Sequence, residues 1–273
     1  MFRQGGKAGP ARREEATERK AARAPARAPG AAAGGGEPCH LVVLGFPRGG
    51  TSLLMNALGE HSQIAMLDED LVGGIRRLTG SKIRGVKLCV PNQVQLDRAW
   101  NAGIHLHPVY RLLRLTGRLP TSAWRNTRPR SKWSIRDYAA LPNATFVCLL
   151  RDPARSLDAI RRRQGISHEV GARMWDLFIE TLTELHSMPD ARTVMVSFER
   201  LLGDPENQLR ALCRQVGIPF ETAMLLGPRY NRRYPGQGFD PEKASTGGLP
   251  RADELGLPRR TVEGYARLLE AAI

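Results

Sequence analysis

In the stretch LVVLGFPRGGTSLL, residues 41 to 54, Gly45 is followed by four residues, then Gly50, Thr51 and Ser52. This is the frame of a phosphate-binding loop, whose backbone amides cradle phosphates, whose lysine reaches the β and γ groups and whose hydroxyl holds magnesium. The lysine position, however, is Thr51, and the nearest cation is Arg48, two residues before Gly50 and directly after Pro47. A nucleoside-triphosphate hydrolase would lose its γ-phosphate contact, whereas the amide nest and the helix start behind it would still bind a dianion. The spacing predicts a site for a nucleotide with a phosphate and one further anionic group at its 5′ end, without dependence on magnesium.

Such a loop must be held between a strand and a helix. HLVVLGF, from His40, is a short apolar run of the kind buried in a parallel sheet, and TSLLMNALGEH after the glycines has helical spacing. IRGVKLCV from Ile83, ATFVCLLR from Ala144 and RTVMVSF from Arg192 are three further candidate strands. Helical stretches lie around and after them: ARSLDAIRRR, EVGARMWDLFIETLTELHSM and DPENQLRALCRQVG, the last opened by Asp204 as cap and Pro205 at its first position. Strands alternating with helices predict an α/β fold, a central parallel sheet with helices on both faces, and ligands collect at the carboxyl ends of such strands.

The chain has 273 residues, 41% of them hydrophobic, enough for a buried core. Its net charge of +14 calls for anionic partners, with nucleic acid the first to consider. Residues 1–38 carry eight Lys or Arg and four Glu, a net +4, so +10 belongs to the rest. That segment is nearly all Ala, Gly, Pro, Arg and Glu and is expected to be a disordered tail, leaving residues 39–273 as the folded domain. The four cysteines are far apart, without CxxC or zinc spacing, which suggests neither a disulfide framework nor a metal site and fits a reducing compartment. No run of about 18 apolar residues and no signal-peptide core is present, so the expectation is a cytoplasmic protein without a membrane partner.

PRGGTSLL resembles the PRSGTTLL-type 5′-phosphosulfate loop of sulfotransferases that use 3′-phosphoadenosine-5′-phosphosulfate, PAPS. FVCLLRDPARSLDAIRRR resembles their 3′-phosphate segment, a strand ending in Arg, here Arg151, and VSFERLLGDPENQLRALCRQVGIPF resembles a further recurrent stretch. The three occur in family-like order over roughly residues 40 to 222. The resemblance implies a P-loop-like three-layer α/β fold, with PAPS as co-substrate, no metal, and a donor site made of Arg48, Gly49, Gly50, Thr51, Ser52, Leu53 and Arg151. It also implies three catalytic residues. Glu69, in HSQIAMLDED, falls where tyrosylprotein-type and several bacterial members place the base; Lys87 matches a lysine that approaches the sulfuryl group; Arg48 would neutralise charge near the leaving phosphate. Crowding by Asp68 and Asp70 could raise one carboxyl pKa of that cluster.

The chain departs from the pattern at two positions. Cys89 stands where soluble small-molecule sulfotransferases have a catalytic His, and Ala159 stands where a Ser, eight residues after the arginine, would meet the 3′-phosphate. Arg155 and Ser156 are the residues nearby that could take over that role. The acceptor would be a small molecule, carbohydrate or peptide met by residues 92–136, rich in Arg with Trp and Tyr interleaved; a plain amphipathic helix there is an equal reading. Lys243 and Ser245 lie in a glycine-containing loop able to cover a nucleotide, and His105 and His107 read as surface or acceptor-pocket residues rather than metal ligands. Two other function classes remain at this point: a P-loop kinase using ATP and magnesium, for which no apolar strand is closed by a convincing metal-binding Asp, and a non-catalytic nucleic-acid-binding protein, which leaves the loop and Glu69 unexplained.

Overall fold

Cys39–Gly45 forms β1, and its four consecutive apolar residues Leu41 to Leu44 are all fully buried, as a central strand covered on both faces requires. The structure is a computed structural model that describes residues 39–69, 73–97, 130–231, 236, 238–244, 249–250 and 252–273. The predicted tail over residues 1–38, His105, His107, Ser245, Asp70 and most of the arginine-rich interval lie outside the described residues.

Five strands are described: β1, β2 (Ile64–Asp68), β3 (Ile83–Cys89), β4 (Ala144–Leu150) and β5 (Arg192–Ser197). All pair in parallel in the order β2-β3-β1-β4-β5. Gly45 pairs with Cys89 on one side and Leu149 on the other, Asp68 pairs with Lys87, and Leu150 with Ser197. Because every strand runs the same way, the loops after all five open on one edge of the sheet.

The alternation of the strand side chains splits the core in two. Val42, Leu44, Val86, Leu88, Phe146 and Cys148 face a layer made by α2 (Ile135–Ala139), α3 (Pro153–Gln164), α4 (His168–Ser187) and α7 (Arg259–Glu270). Leu41, Val43, Val147, Leu149, Val194 and Val196 face α1 (Thr51–Gly59), α5 (Phe198–Gly203) and α6 (Pro205–Val216). The predicted three-layer α/β architecture, helices on both faces of a parallel sheet, is what the chain adopts.

Local chemistry sets the helix ends. Asp152 accepts from the Arg155 amide with Pro153 behind it, and Asp204 accepts from the Asn207 amide with Pro205 behind it. Gly165 and Gly217 then close α3 and α6 in the left-handed conformation. α1 differs: its cap is Gly50, and no side chain caps its first amides.

The four strands expected from the sequence are all present, and β2 is added to them. It is a five-residue edge strand in which Ile64 alone is buried; its apolar run, Ile64 to Leu67, is only four residues long and leads straight into acidic residues, so it reads as a turn as readily as a strand. α7 was likewise not expected, since only Thr261, Gly264 and Leu268 of its twelve residues are buried and two of those are not large apolar groups.

The layer under α4 is held by an aromatic cluster. Trp175 is fully buried, with its ring centroid 4.9 Å from Phe46, 5.2 Å from Phe178 and 5.9 Å from Tyr265. Its indole nitrogen has no hydrogen-bond partner among the described residues. Trp175→Ala should therefore lower unfolding free energy by about 3–5 kcal/mol in urea titration, whereas Trp175→Phe, which forfeits no hydrogen bond, should cost clearly less.

Candidate active site

The loop between β1 and α1 is a tight turn that packing restricts to small residues. The Gly49 amide donates to the Phe46 carbonyl at 2.8 Å, and a Cβ on Gly49 would lie 2.8 Å from that same oxygen. Gly50 has φ +94°, and a Cβ there would meet the Phe198 ring at 2.2 Å. Arg48 is held at φ +67°, a left-handed conformation that a non-glycine residue adopts at a cost of order 1 kcal/mol or more. The turn thus presents the uncapped start of α1 and the Arg48 side chain on the same edge of the sheet.

Lys87 is the second element. Its side chain is 1% exposed, and an ammonium so buried needs anionic partners. The β2–β3 register supplies them: Lys87 Nζ lies 2.7 Å from Asp68 Oδ1 and donates to Glu69 Oε1 at 3.1 Å. Burial alone would depress the Lys87 pKa, but Cys89 and these two carboxylates outweigh it and raise the pKa above the ordinary lysine value. Glu69 follows β2, its amide bonded to the Lys87 carbonyl at 3.0 Å, with φ +58°. Crowding was expected among Asp68, Glu69 and Asp70; the described pair, Asp68 and Glu69, both contact the Lys87 ammonium, which offsets their mutual repulsion. An Asp does close a strand here, contrary to the sequence reading, but the strand is the unexpected β2 and the carboxylate of Asp68 is bonded to Lys87.

Cys89, which the resemblance set at the place of a catalytic histidine, is buried beside the loop, with Sγ 3.9 Å from Thr51 Oγ1. Burial pushes its thiol pKa up, so near neutrality it is a neutral thiol and not a base. Its amide donates to Gln93 Oε1 at 2.7 Å.

The third element comes from the end of β4. Arg151 lies with its guanidinium carbon 4.6 Å from the centroid of the Phe198 ring, and its Nη1 donates to the Arg48 carbonyl at 2.7 Å. This bond ties the β4 segment directly to the loop after β1. Burial lowers the Arg151 pKa, with Glu199 opposing, and burial raises that of Glu199, whose Oε1 accepts from the Asp152 amide at 3.0 Å. The buried Nε atoms of Arg151 and Arg155 have no hydrogen-bond partner among the described residues.

These elements line one cavity of about 650 Å³, with Arg48, Gly50, Thr51, Ser52, Leu53, Glu69, Lys87 and Arg151 all on its wall. Of the nine residues expected to form the donor and catalytic sites, Gly49 alone is not on the wall; its amide is spent inside the turn. Among the described residues, eight Lys or Arg and one acidic residue, Glu69, line the space. Lys243 is on the wall, as the sequence reading placed it, and so is Ala159. Asn92, Gln93 and Arg130, from the interval 92–136 read as the acceptor side, also line it, as do Arg162, Arg163, Phe198 and Asn231, which were not picked out. For Gln93 the signal was a polar residue directly behind a strand-ending Pro; for Arg162 it was helical phase with Arg155 and Ala159. Among the described residues, no group of three His, Cys, Asp or Glu could hold a metal ion, and no helix is long and apolar enough to cross a membrane.

Comparison with known proteins bears on the family and the fold. A model of the family described as the sulfotransferase family matches residues 40–222. The fold is shared with the sulfotransferase domain from the curacin biosynthetic pathway, at 18% identity and TM-score 0.51 over 85% of this chain and 98% of that one. It is shared equally with the sulfotransferase domain of the Synechococcus PCC 7002 olefin synthase, at 18% identity and TM-score 0.52 over 85% and 95%. No curated protein matches the sequence.

The buried titratable groups set an alkaline limit. Lys87 and the thiols of Cys89, Cys148 and Cys213 all have folded pKa values raised above their ordinary ones, Cys148 to about 12 and Cys213 to about 11. Each favours the protonated, folded state, so its contribution is complete below its unfolded pKa and is lost as pH rises toward the folded one. The unfolding free energy from urea titration should stay level from pH 7 to about 8.5 and fall from about 9 upward, by at most ~1.4 kcal/mol per pH unit per group. Cys148→Ala should make that fall shallower.

Proposed function

The chain belongs to the sulfotransferase family, and we propose that it moves the sulfuryl group of PAPS onto a hydroxyl or amine of an acceptor, with Glu69 as the base. The observation that carries this reading is the meeting of Arg48, Lys87 and Glu69 with the uncapped start of α1 on the wall of one cavity. The residues present suit a polyanionic adenylate: eight cationic residues surround the space, and two arginine Nε atoms are buried without partners among the described residues. In this assignment the first amides of α1, with Thr51, Ser52 and Leu53, hold the 5′ end, and Arg151 holds the 3′-phosphate.

PAPS supplies an activated sulfuryl group on a phosphate leaving group. Glu69 removes the proton as the acceptor oxygen forms its bond to sulfur, and the bond from sulfur to the 5′-phosphate oxygen breaks. The electron pair of that bond leaves on the phosphate, where Arg48 and Lys87 meet the charge. Lys87 reaches this position from its ion pair with Glu69, so attraction toward the donor loosens its hold on the carboxylate that must take the proton. The Cys89 thiol, protonated by its burial, leaves Glu69 as the base. The four free cysteines support a reducing, cytoplasmic setting. Acceptors among small molecules, carbohydrates or peptides suit the open cavity, and the donor's own charge accounts for the cations without nucleic acid as a partner.

Two experiments test the proposal. Thermal melting with PAP, the desulfated product nucleotide, should rise by several degrees and be unaffected by EDTA, whereas ATP with magnesium and duplex DNA should leave it unchanged; a response to ATP with magnesium alone would favour a kinase. Glu69→Gln should retain PAP binding and lower kcat by about 10²–10⁴-fold, and Arg48→Ala by about 10²–10³-fold, read as the gain of one SO₃ unit on an acceptor by mass spectrometry. Wild-type turnover in Glu69→Gln would place the base elsewhere.

A further inference from the structure

The wall of the cavity contributed by α3 carries an arginine face that the donor assignment, on which this inference rests, leaves without a role. Arg155, Ala159 and Arg162 follow one another at helical spacing and line the cavity together with Arg151. Ser156, one residue round the helix, is not on that wall: it is fully buried, and its Oγ has no partner among the described residues. The position at which similar sulfotransferases carry a serine therefore does face the cavity, but Ala159 brings only a methyl group to it.

Arg155 is one turn before Ala159 on that face. Its Nε and that of Arg151 are both buried with no hydrogen-bond partner among the described residues. After burial itself, the Arg155 charge is among the causes that depress the Arg151 pKa, a mark of two like charges at close range in a shielded place. Glu199 and Asp152 offset part of that charge, but the two Nε donors stay unsatisfied among the described residues, and an anion between them would meet both. Arg162 is in a different situation, since Asp158 already pairs with it and with Arg161.

We propose that Arg155 takes the place of the serine missing at Ala159 and, with Arg151, forms a two-arginine clamp on the 3′-phosphate of the nucleotide. Recognition of that phosphate is then made by two charge-assisted guanidinium contacts rather than by one guanidinium and one hydroxyl. Discrimination between nucleotides with and without a 3′-phosphate is accordingly ionic and falls with salt.

Calorimetric titration of the full chain with PAP and with adenosine 5′-phosphate, at low and at high NaCl, tests this. The wild type should prefer PAP, with the preference shrinking at high salt. Arg155→Ala should weaken PAP by about tenfold to a hundredfold and leave adenosine 5′-phosphate unchanged. Adding Ala159→Ser to that variant should restore part of the preference, and Ser156→Ala should change neither affinity. Should Arg155→Ala fail to fold, Arg155→Gln reads the same ratio. An Arg155 variant with the wild-type ratio of PAP to adenosine 5′-phosphate affinities overturns the clamp while leaving the donor assignment standing. A wild type that does not prefer PAP overturns both.

Discussion

An ammonium group at 1% exposure cannot stand alone, and the arrangement of the site follows from how Lys87 is satisfied. It lies on β3, next to the edge strand, and the parallel register places Asp68 opposite it with Glu69 one residue on. Two carboxylates at 2.7 and 3.1 Å keep the lysine charged inside the protein. The same contacts fix Glu69, whose backbone sits at φ +58° with its amide bonded to the Lys87 carbonyl. The proposed base and the proposed charge-stabilising cation are thus delivered as one unit, and β2 is the strand that makes the delivery possible.

On the other side of β1 the controlling contact is the bond from the Arg151 guanidinium to the Arg48 carbonyl. It links the segments that follow β1 and β4, which the sequence separates by about a hundred residues, and Phe198 braces both of them. The Phe198 ring lies under Arg151 and against Gly50, leaving no room for a Cβ on that glycine. Cationic residues gather on this wall of the cavity with one carboxylate among the lining residues, so much of the positive charge of the folded part has a local purpose. A strongly basic composition of this kind suits the proposed small polyanion in a cleft as well as any wider surface field.

The sequence carried the site better than it carried its support. Gly45, Gly50, Thr51 and Arg48 are legible because an anion cradle needs those residue types at that spacing, and Arg151 because a charge ending the most apolar strand demands a reason. β2 escaped notice because its apolar run, Ile64 to Leu67, is only four residues long and leads straight into an acidic stretch, with Ile64 alone buried. Glu69 was found by resemblance alone; its pairing with Lys87 is a fact of register between strands 18 residues apart, invisible until the sheet order is known. The arginines of α3 were legible as a helix face, yet only the cavity separates Arg155, which lines it, from Ser156, which does not. α7 reads poorly because Thr261 and Gly264 do the packing that large apolar side chains do elsewhere.

The central claim is that the turn after β1 and the end of β4 form one binding site for an adenylate with phosphates at both its 5′ and 3′ positions. A crystal structure of the protein grown with PAP tests it most directly. The account predicts the 5′-phosphate against the amides of Thr51 and Ser52 and the 3′-phosphate against the guanidinium of Arg151. PAP bound elsewhere on the protein, with that turn empty, would contradict it.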